Sequence, residues 1–171
     1  ENIKGAMLTC ILSDTLEFRS PTTTQEDTAI AHALAKDLGV DIAEYAAQMF
    51  AAKSDVSSFS EAELLRMDSK EYEVGGKKFR VSVLETTSPA TVLNRKDALM
   101  AAMPGVATED GADQVLLFVV DILNEEATML IPNDFTKSVA EKSFGATVTG
   151  DSVVLPGVMS RKKQIIPNIK A

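Results

Sequence analysis

The sequence has no tryptophan, one cysteine, one histidine, and aromatic residues make up only 5% of it. Each scarcity removes a class of reading. With Cys10 alone, no internal disulfide can form, and one thiol cannot build a zinc site. The absence of a disulfide framework fits an intracellular protein, and a cytoplasmic location is expected. His32 follows Ile30 within a helical pattern and has no ligand-type residue four positions away on either side, so no metal role is expected for it. No apolar run approaches the roughly 18–20 residues of a membrane span, so no membrane association is expected. The opening Glu1-Asn2-Ile3-Lys4 has neither an initiator Met nor a signal-peptide pattern. It enters a helical pattern at once, which reads as a start inside a larger protein. Positive charge is scarce too: 17 Lys and Arg face 25 Asp and Glu, for a net charge of −8. That argues against nucleic-acid binding, which needs a basic face. A few clustered cations still suffice to make a local pocket for a small anion.

What remains is the composition of a globular protein, 45% hydrophobic and 25% charged over 171 residues. This length suits one ordinary domain, or a small domain joined to a fragment of another. Residues 3–18 read as a helix with Ile3, Ala6, Met7, Cys10, Ile11 and Asp14 on one side, its wide apolar surface pointing to burial. The run 20–24, with Pro21, ends it. Thr24 with Asp27 forms a variant capping box for a second helix, whose apolar stripe is Ala29, Ile30, Ala33, Leu34 and Leu38, and Gly39 closes it. Asp41 caps a third helix over 42–52. The polar, Ser-rich residues 54–60 read as a linker, dividing a helical region 1–53 from a second domain 61–171.

In the second domain Ser60 and Glu63 form another capping box. A hairpin follows, with strands at 71–74 and 77–85 about the Gly75-Gly76 turn. Ser88-Pro89 opens a helix expected to stop near Met103, at Pro104-Gly105. The continuous apolar run Val115 to Val120 reads as a central strand buried on both faces. Strands at 128–131 and 153–155 and a short helix at 138–144 complete a layered α/β domain with a mixed sheet.

Two features depart from this plain pattern. Asp14 sits near the C-terminal end of an otherwise apolar helix, where burial and the negative end of the helix dipole both disfavour a carboxylate. A compensating Lys, Arg or metal ion is one reading, and an exposed or hydrogen-bonding helix-end residue is the other. The second feature is Ser160-Arg161-Lys162-Lys163-Gln164, three consecutive cations framed by apolar residues on both sides. As an extended, anchored segment it can aim Arg161 and Lys162 at an anion, Arg with a planar fork and Lys with a compact charge. As a charged edge strand it would only block unwanted pairing. Lys70, in Asp68-Ser-Lys-Glu-Tyr72, looks like an exposed lysine on the bare sequence. Asp121, at the end of the apolar run, has no visible chemical partner.

Taken together these segments resemble the C-terminal portion of family II inorganic pyrophosphatases, of the DHH phosphoesterase superfamily. Ile11-Leu-Ser-Asp-Thr-Leu16 and Phe18-Arg-Ser-Pro-Thr22 resemble the end of the family's helical catalytic domain. Asp121-Ile-Leu-Asn-Glu125, Leu155-Pro-Gly-Val158 and above all Ser160-Arg-Lys-Lys-Gln164 resemble its substrate-binding domain. The resemblance covers essentially the whole chain. It implies hydrolysis of pyrophosphate to two phosphates at a manganese pair, for which cobalt can substitute. Asp14 would be a ligand of one metal, Arg161 and Lys162 would grip substrate phosphate, and Lys70 would be a further cationic partner. The resemblance also implies a homo-oligomer in the full-length protein. The family's His-x-Asn-Pro-Asp-x-Asp and Asp-His-His motifs are absent from these residues, so neither turnover nor tight manganese binding is expected of this chain by itself. An exopolyphosphatase of the same superfamily and a non-catalytic phosphate- or nucleotide-binding module are the alternatives.

Overall fold

In a computed structural model the structure describes residues 1–170. The chain divides into two compact units, Glu1–Ser54 and Asp55–Ala171, and each is described by itself.

The first unit is three helices: α1 (Asn2–Thr15), α2 (Gln25–Leu38) and α3 (Ile42–Lys53). Their starts follow local chemistry. Thr24 and Asp27 close the expected capping box, Asp41 accepts from the Glu44 N–H, and Gly39 ends α2 at φ 69°. The last requires a left-handed backbone, which glycine adopts without a Cβ penalty. Leu8 and Leu12 of α1, Ala31 and Ala35 of α2, and Ala46 and Phe50 of α3 form the core. Alanines one turn apart let α1 and α2 approach closely. The expected buried faces are therefore corrected. Ile3 is 78% exposed, Met7 48% and Ile30 39%, and Cys10 is exposed. Both helices are apolar over too wide an arc for periodicity to choose a side.

α1 is also shorter than the sequence pattern suggests, because Leu16, Glu17 and Phe18 all take left-handed φ, at 50°, 52° and 68°. Such a run costs energy at each non-glycine residue and persists only where its surroundings hold it. Leu16 is buried in the core. Phe18 stacks on His32 with ring centroids 5.8 Å apart. The Glu17 N–H donates to the Leu12 carbonyl at 2.9 Å, the Ser20 N–H donates to the Thr15 carbonyl at 2.9 Å, and Arg19 pairs with Glu17.

The second unit is a five-stranded mixed sheet covered on both faces. Its elements run α4 (Glu61–Met67), β1 (Ser69–Val74), β2 (Lys77–Thr86), α5 (Pro89–Leu93), α6 (Lys96–Glu109), β3 (Gln114–Asp121), β4 (Glu126–Leu130), α7 (Asp134–Phe144) and β5 (Ser152–Pro156). Strand order is β1-β2-β3-β4-β5; β2 and β3 are parallel and the other pairs antiparallel. β3 is the central strand, and Val115 to Val120 are buried throughout. Because side chains alternate along a strand, its two faces build two cores. Val115, Leu117 and Val119 join Leu84, Leu65, Leu99 and Val106 under α4, α5 and α6. On the opposite face Phe79 stacks on Phe135, and Phe118 meets Phe144 edge-on, both partners lying on α7.

Two expectations are corrected here. The helix opened by Pro89 breaks after Leu93, and α6 then continues through Pro104 to Glu109. Arg95 occupies the break, with its guanidinium on Glu61 and on the carbonyls of Val56 and Phe59. Proline removes one helical donor, but Met103, Val106 and Ala107 are buried on either side of it, and that packing carries the helix past it. The sheet's outer face near β1 is tied by charge. Arg80 bonds Ser69 at 2.7 Å and Glu71 at 2.6 Å, and its Nε lies 2.6 Å from Asp110. Arg66 grips the same Asp110 through Nε and Nη2. Hydrogen bonds from Arg66 hold the Asp110 carboxyl below the usual carboxylate range.

Candidate functional site

The basic segment near the end of the chain is a helical turn and not the extended run its charges suggested. Arg161–Ile165 forms a single π-helical turn, and Ile166–Asn168 a 3₁₀ turn after it. Three local devices impose this. The Ser160 hydroxyl accepts from the Lys163 N–H at 3.2 Å and caps the turn. The Ile165 N–H reaches back to the Ser160 carbonyl at 3.0 Å, the wide hydrogen bond that defines the π turn. Gln164 acts as a staple: its Oε1 accepts from the N–H groups of Met159 at 2.8 Å and Ser160 at 2.9 Å, and its Nε2 donates to the Gly157 carbonyl at 2.6 Å. Gly157 turns the chain after β5 at φ 74°, a conformation that disfavours any residue with a Cβ. Ile165 and Ile169 are buried, and the Lys170 N–H donates to Ser143 on α7 at 2.9 Å. The turn is thus fixed against the α7 face of the sheet.

From this anchored turn Arg161 reaches the start of β1. Its Nη1 donates to the Asp68 carbonyl and its Nη2 to the Asp68 carboxylate, each at 2.8 Å. The Asp68 carbonyl also accepts from the Val83 N–H of β2 at 2.9 Å, so the acceptor belongs to the sheet itself. The guanidinium side chain is only 14% exposed. Lys70 lies two residues beyond Asp68, about 7 Å further along the strand. Its Cα partner is Val81, which alternates with Phe79, the residue packed on α7. Lys70 therefore projects on the α7 face of the sheet. Through Asp68 the terminal turn is tied to the head of the edge strand that carries Lys70 two residues further on, and Lys162 adjoins Arg161 in sequence. Among the described residues neither the Lys70 nor the Lys162 ammonium makes a hydrogen bond or ion pair, and both residues are exposed. The Arg161–Asp68 pair, with two exposed lysines close to it along the chain, offers the donor types that a multiply charged anion takes. It stands towards the carboxyl ends of the parallel strands β2 and β3, where ligands gather in open α/β sheets.

Asp14 has a different setting. It is exposed near the end of α1, and among the described residues its carboxylate forms no hydrogen bond or ion pair. The last turn of α1 carries no basic residue. Of the two readings the sequence left open, the exposed one holds: Asp14 sits on the outward face of α1 with Met7 and Cys10. Asp121 proves to be a turn residue. Its Oδ1 accepts from the N–H groups of Leu123 at 3.0 Å and Asn124 at 3.1 Å, closing the β3–β4 connection. Asp68 and Gln164 were not singled out by their sequence. Asp68 precedes its guanidinium partner by 93 residues, and no local pattern signals such a pair. Gln164 stands inside the recognisable basic motif, but its task depends on the turn. A cavity of about 230 Å³ between α6 and the start of β3, lined by Met103, Ala107 and Asn133 among others, lies at the opposite end of the parallel strands.

Residues 47–171 match the family described as the DHHA2 domain. Among curated proteins the chain is similar to one from Lactobacillus acidophilus, 39% identical over 98% of this chain and 54% of the relative. A second, from Deinococcus radiodurans, is 45% identical over 96% of this chain and 54% of the relative. Both are named probable manganese-dependent inorganic pyrophosphatase. Among solved structures it is similar to that of a candidate family II inorganic pyrophosphatase from Methanococcus jannaschii, with TM-score 0.81 and 34% identity over 94% of this chain and 52% of that one. The chain spans about half the length of the curated relatives it matches. The mixed five-stranded sheet with its anchored basic turn, and a family match running from α3 to the end of the chain, make this chain a member of the DHHA2 domain family.

Proposed function

We propose that the chain is the substrate-gripping part of a manganese-dependent inorganic pyrophosphatase, in which Arg161, Lys162 and Lys70 bind diphosphate and Asp14 supplies one carboxylate to the metal centre. The observation that carries this reading is the anchoring of Arg161 on Asp68, at the head of the edge strand that carries Lys70, with the Lys70 and Lys162 ammonium groups left without partners among the described residues. Pyrophosphate is small and densely charged, so its recognition is chiefly electrostatic. A fixed guanidinium and two lysines neutralise phosphoryl oxygens and hold them while a nucleophile attacks in line. A cationic clamp of this kind does not depend on the protein's net charge, only on the local field.

The metal centre itself is not built from these residues. Among the described residues no group of three His, Cys, Asp or Glu side chains is placed to hold a metal ion, and Asp14 brings a single carboxylate. Manganese ions activate water and neutralise phosphoryl charge when bound, and that chemistry calls for donors beyond those the described residues place together. What its own residues do is bind, orient and neutralise the substrate.

The test is pyrophosphate hydrolysis by the intact protein with manganese. Arg161→Ala is expected to lower kcat/KM by roughly 10²–10³, the cost of deleting one preorganised donor to a transition-state oxygen. Lys70→Ala and Lys162→Ala are expected to raise KM. Kinetics like wild type in all three variants would contradict the reading. Faster release of terminal phosphate from long polyphosphate than hydrolysis of pyrophosphate would reassign the substrate within the same superfamily. Asp14→Asn is expected to raise the manganese concentration needed for activity.

A further inference from the structure

We infer that Asp68 is the positioning residue of the anion clamp: its carboxylate and its carbonyl together hold the Arg161 guanidinium in one orientation, so that the remaining N–H groups of the fork face the space beside Lys70 and Lys162. This rests on reading that cluster as a phosphate site. Arg161 stands on a short turn near the end of the chain, where a long flexible side chain would otherwise sample many rotamers and lose them all on binding. Asp68 removes that cost in advance. It takes one donor from each terminal nitrogen, at 2.8 Å in both cases, and leaves Nε–H and the other terminal hydrogens for a ligand. Its carbonyl is shared with the Val83 N–H of the sheet, so the guanidinium is referred to the rigid framework and not to another mobile side chain.

A carboxylate beside an anion site invites the opposite reading, that Asp68 competes with the ligand for Arg161. Two features favour positioning. One of the two acceptors is the neutral main-chain carbonyl, which no competing-anion role requires. The Asp68 side chain is 51% exposed while that of Arg161 is 14% exposed, so solvent screens the carboxylate more than the cation it holds. Against Arg161, Lys70 and Lys162, the one carboxylate still leaves the cluster net positive.

The test uses the labelled 171-residue chain with inorganic pyrophosphate as the probe, and reads two quantities. One is the order of the Arg161 Nε–H bond by NMR relaxation; the other is the dissociation constant for pyrophosphate at low ionic strength. Asp68→Ala keeps the carbonyl half of the latch and deletes the carboxylate half. It is expected to loosen Arg161 and to weaken pyrophosphate binding roughly tenfold, the scale of a hydrogen bond to a charged group. Asp68→Asn, which retains an acceptor oxygen without the charge, is expected to restore both the order and most of the affinity. Arg161 remaining equally ordered in Asp68→Ala would overturn the inference, as would tighter binding in that variant. Unchanged affinity in Asp68→Ala, while Lys70→Ala and Lys162→Ala weaken it, would overturn the inference and leave the clamp standing. Binding indifferent to Lys70 and Lys162, or no binding by wild type, would remove the clamp and the inference together.

Discussion

The two units solve their packing in different ways, and the difference decides how firmly each holds its candidate site residues. Glu1–Ser54 closes a thin core of leucine, alanine and one phenylalanine between three helices, and leaves Ile3, Met7 and Ile30 outside it. Its candidate ligand, Asp14, stands on that outer surface without a protein partner among the described residues. In the other unit a central strand is buried on both faces, and the candidate site is tied to that sheet through Asp68, Val83 and the Gln164 staple. A core closed on two sides fixes the strands, the strands fix the carbonyls, and the carbonyls aim the guanidinium. The helical unit has a strained left-handed end beside Asp14 but nothing that grips the carboxylate itself.

Breaking each core in turn tests whether the units are as distinct as their packing. Phe118→Ala deletes a fully buried ring between β3 and α7 and is expected to cost about 3–5 kcal/mol. Leu12→Ala, in α1, is expected to cost about 2–5 kcal/mol. If the units are separate cooperative blocks, thermal unfolding followed by residue-resolved hydrogen exchange shows each loss confined to its own unit. Loss spread equally over both would merge them. A smaller effect is expected from Gln164→Ala, about 1–3 kcal/mol, because it leaves the N–H groups of Met159 and Ser160 without their partner. Urea unfolding checks it, and Arg161 should loosen in step. The smallest effects belong to the matched capping boxes. Thr24→Ala in α2 and Ser60→Ala in α4 should each cost about 1 kcal/mol. A much larger loss at Ser60 would show that α4 nucleates the sheet unit, where Leu64 and Leu65 are buried.

What could be read in the sequence follows the same division. Caps and turns are local, so Thr24, Asp41, Ser60 and Gly39 announced their helices correctly. The run Val115 to Val120 announced the central strand, since only a strand covered on both faces tolerates such continuity. The buried faces of α1 and α2 were not legible, because α1 is apolar around most of its circumference and the alanines of α2 widen its apolar arc beyond one stripe, so tertiary packing chooses. Pro104 was read as a stop, and burial of its neighbours overrode it. The basic motif near the end of the chain was legible as charge, but its shape was not. The π turn is set by Gln164 and Ser160 acting on backbone groups, and the Arg161–Asp68 pair spans a sequence separation that no periodicity encodes.

The most direct test of the central claim is a residue-resolved NMR titration of the chain with pyrophosphate at low ionic strength, where a clamp of exposed cations binds best. The account predicts saturable shifts confined to Asp68, Lys70, Val83 and the turn from Ser160 to Gln164, fading as salt is raised. Shifts centred on the cavity between α6 and β3, or scattered over every exposed lysine, would contradict it.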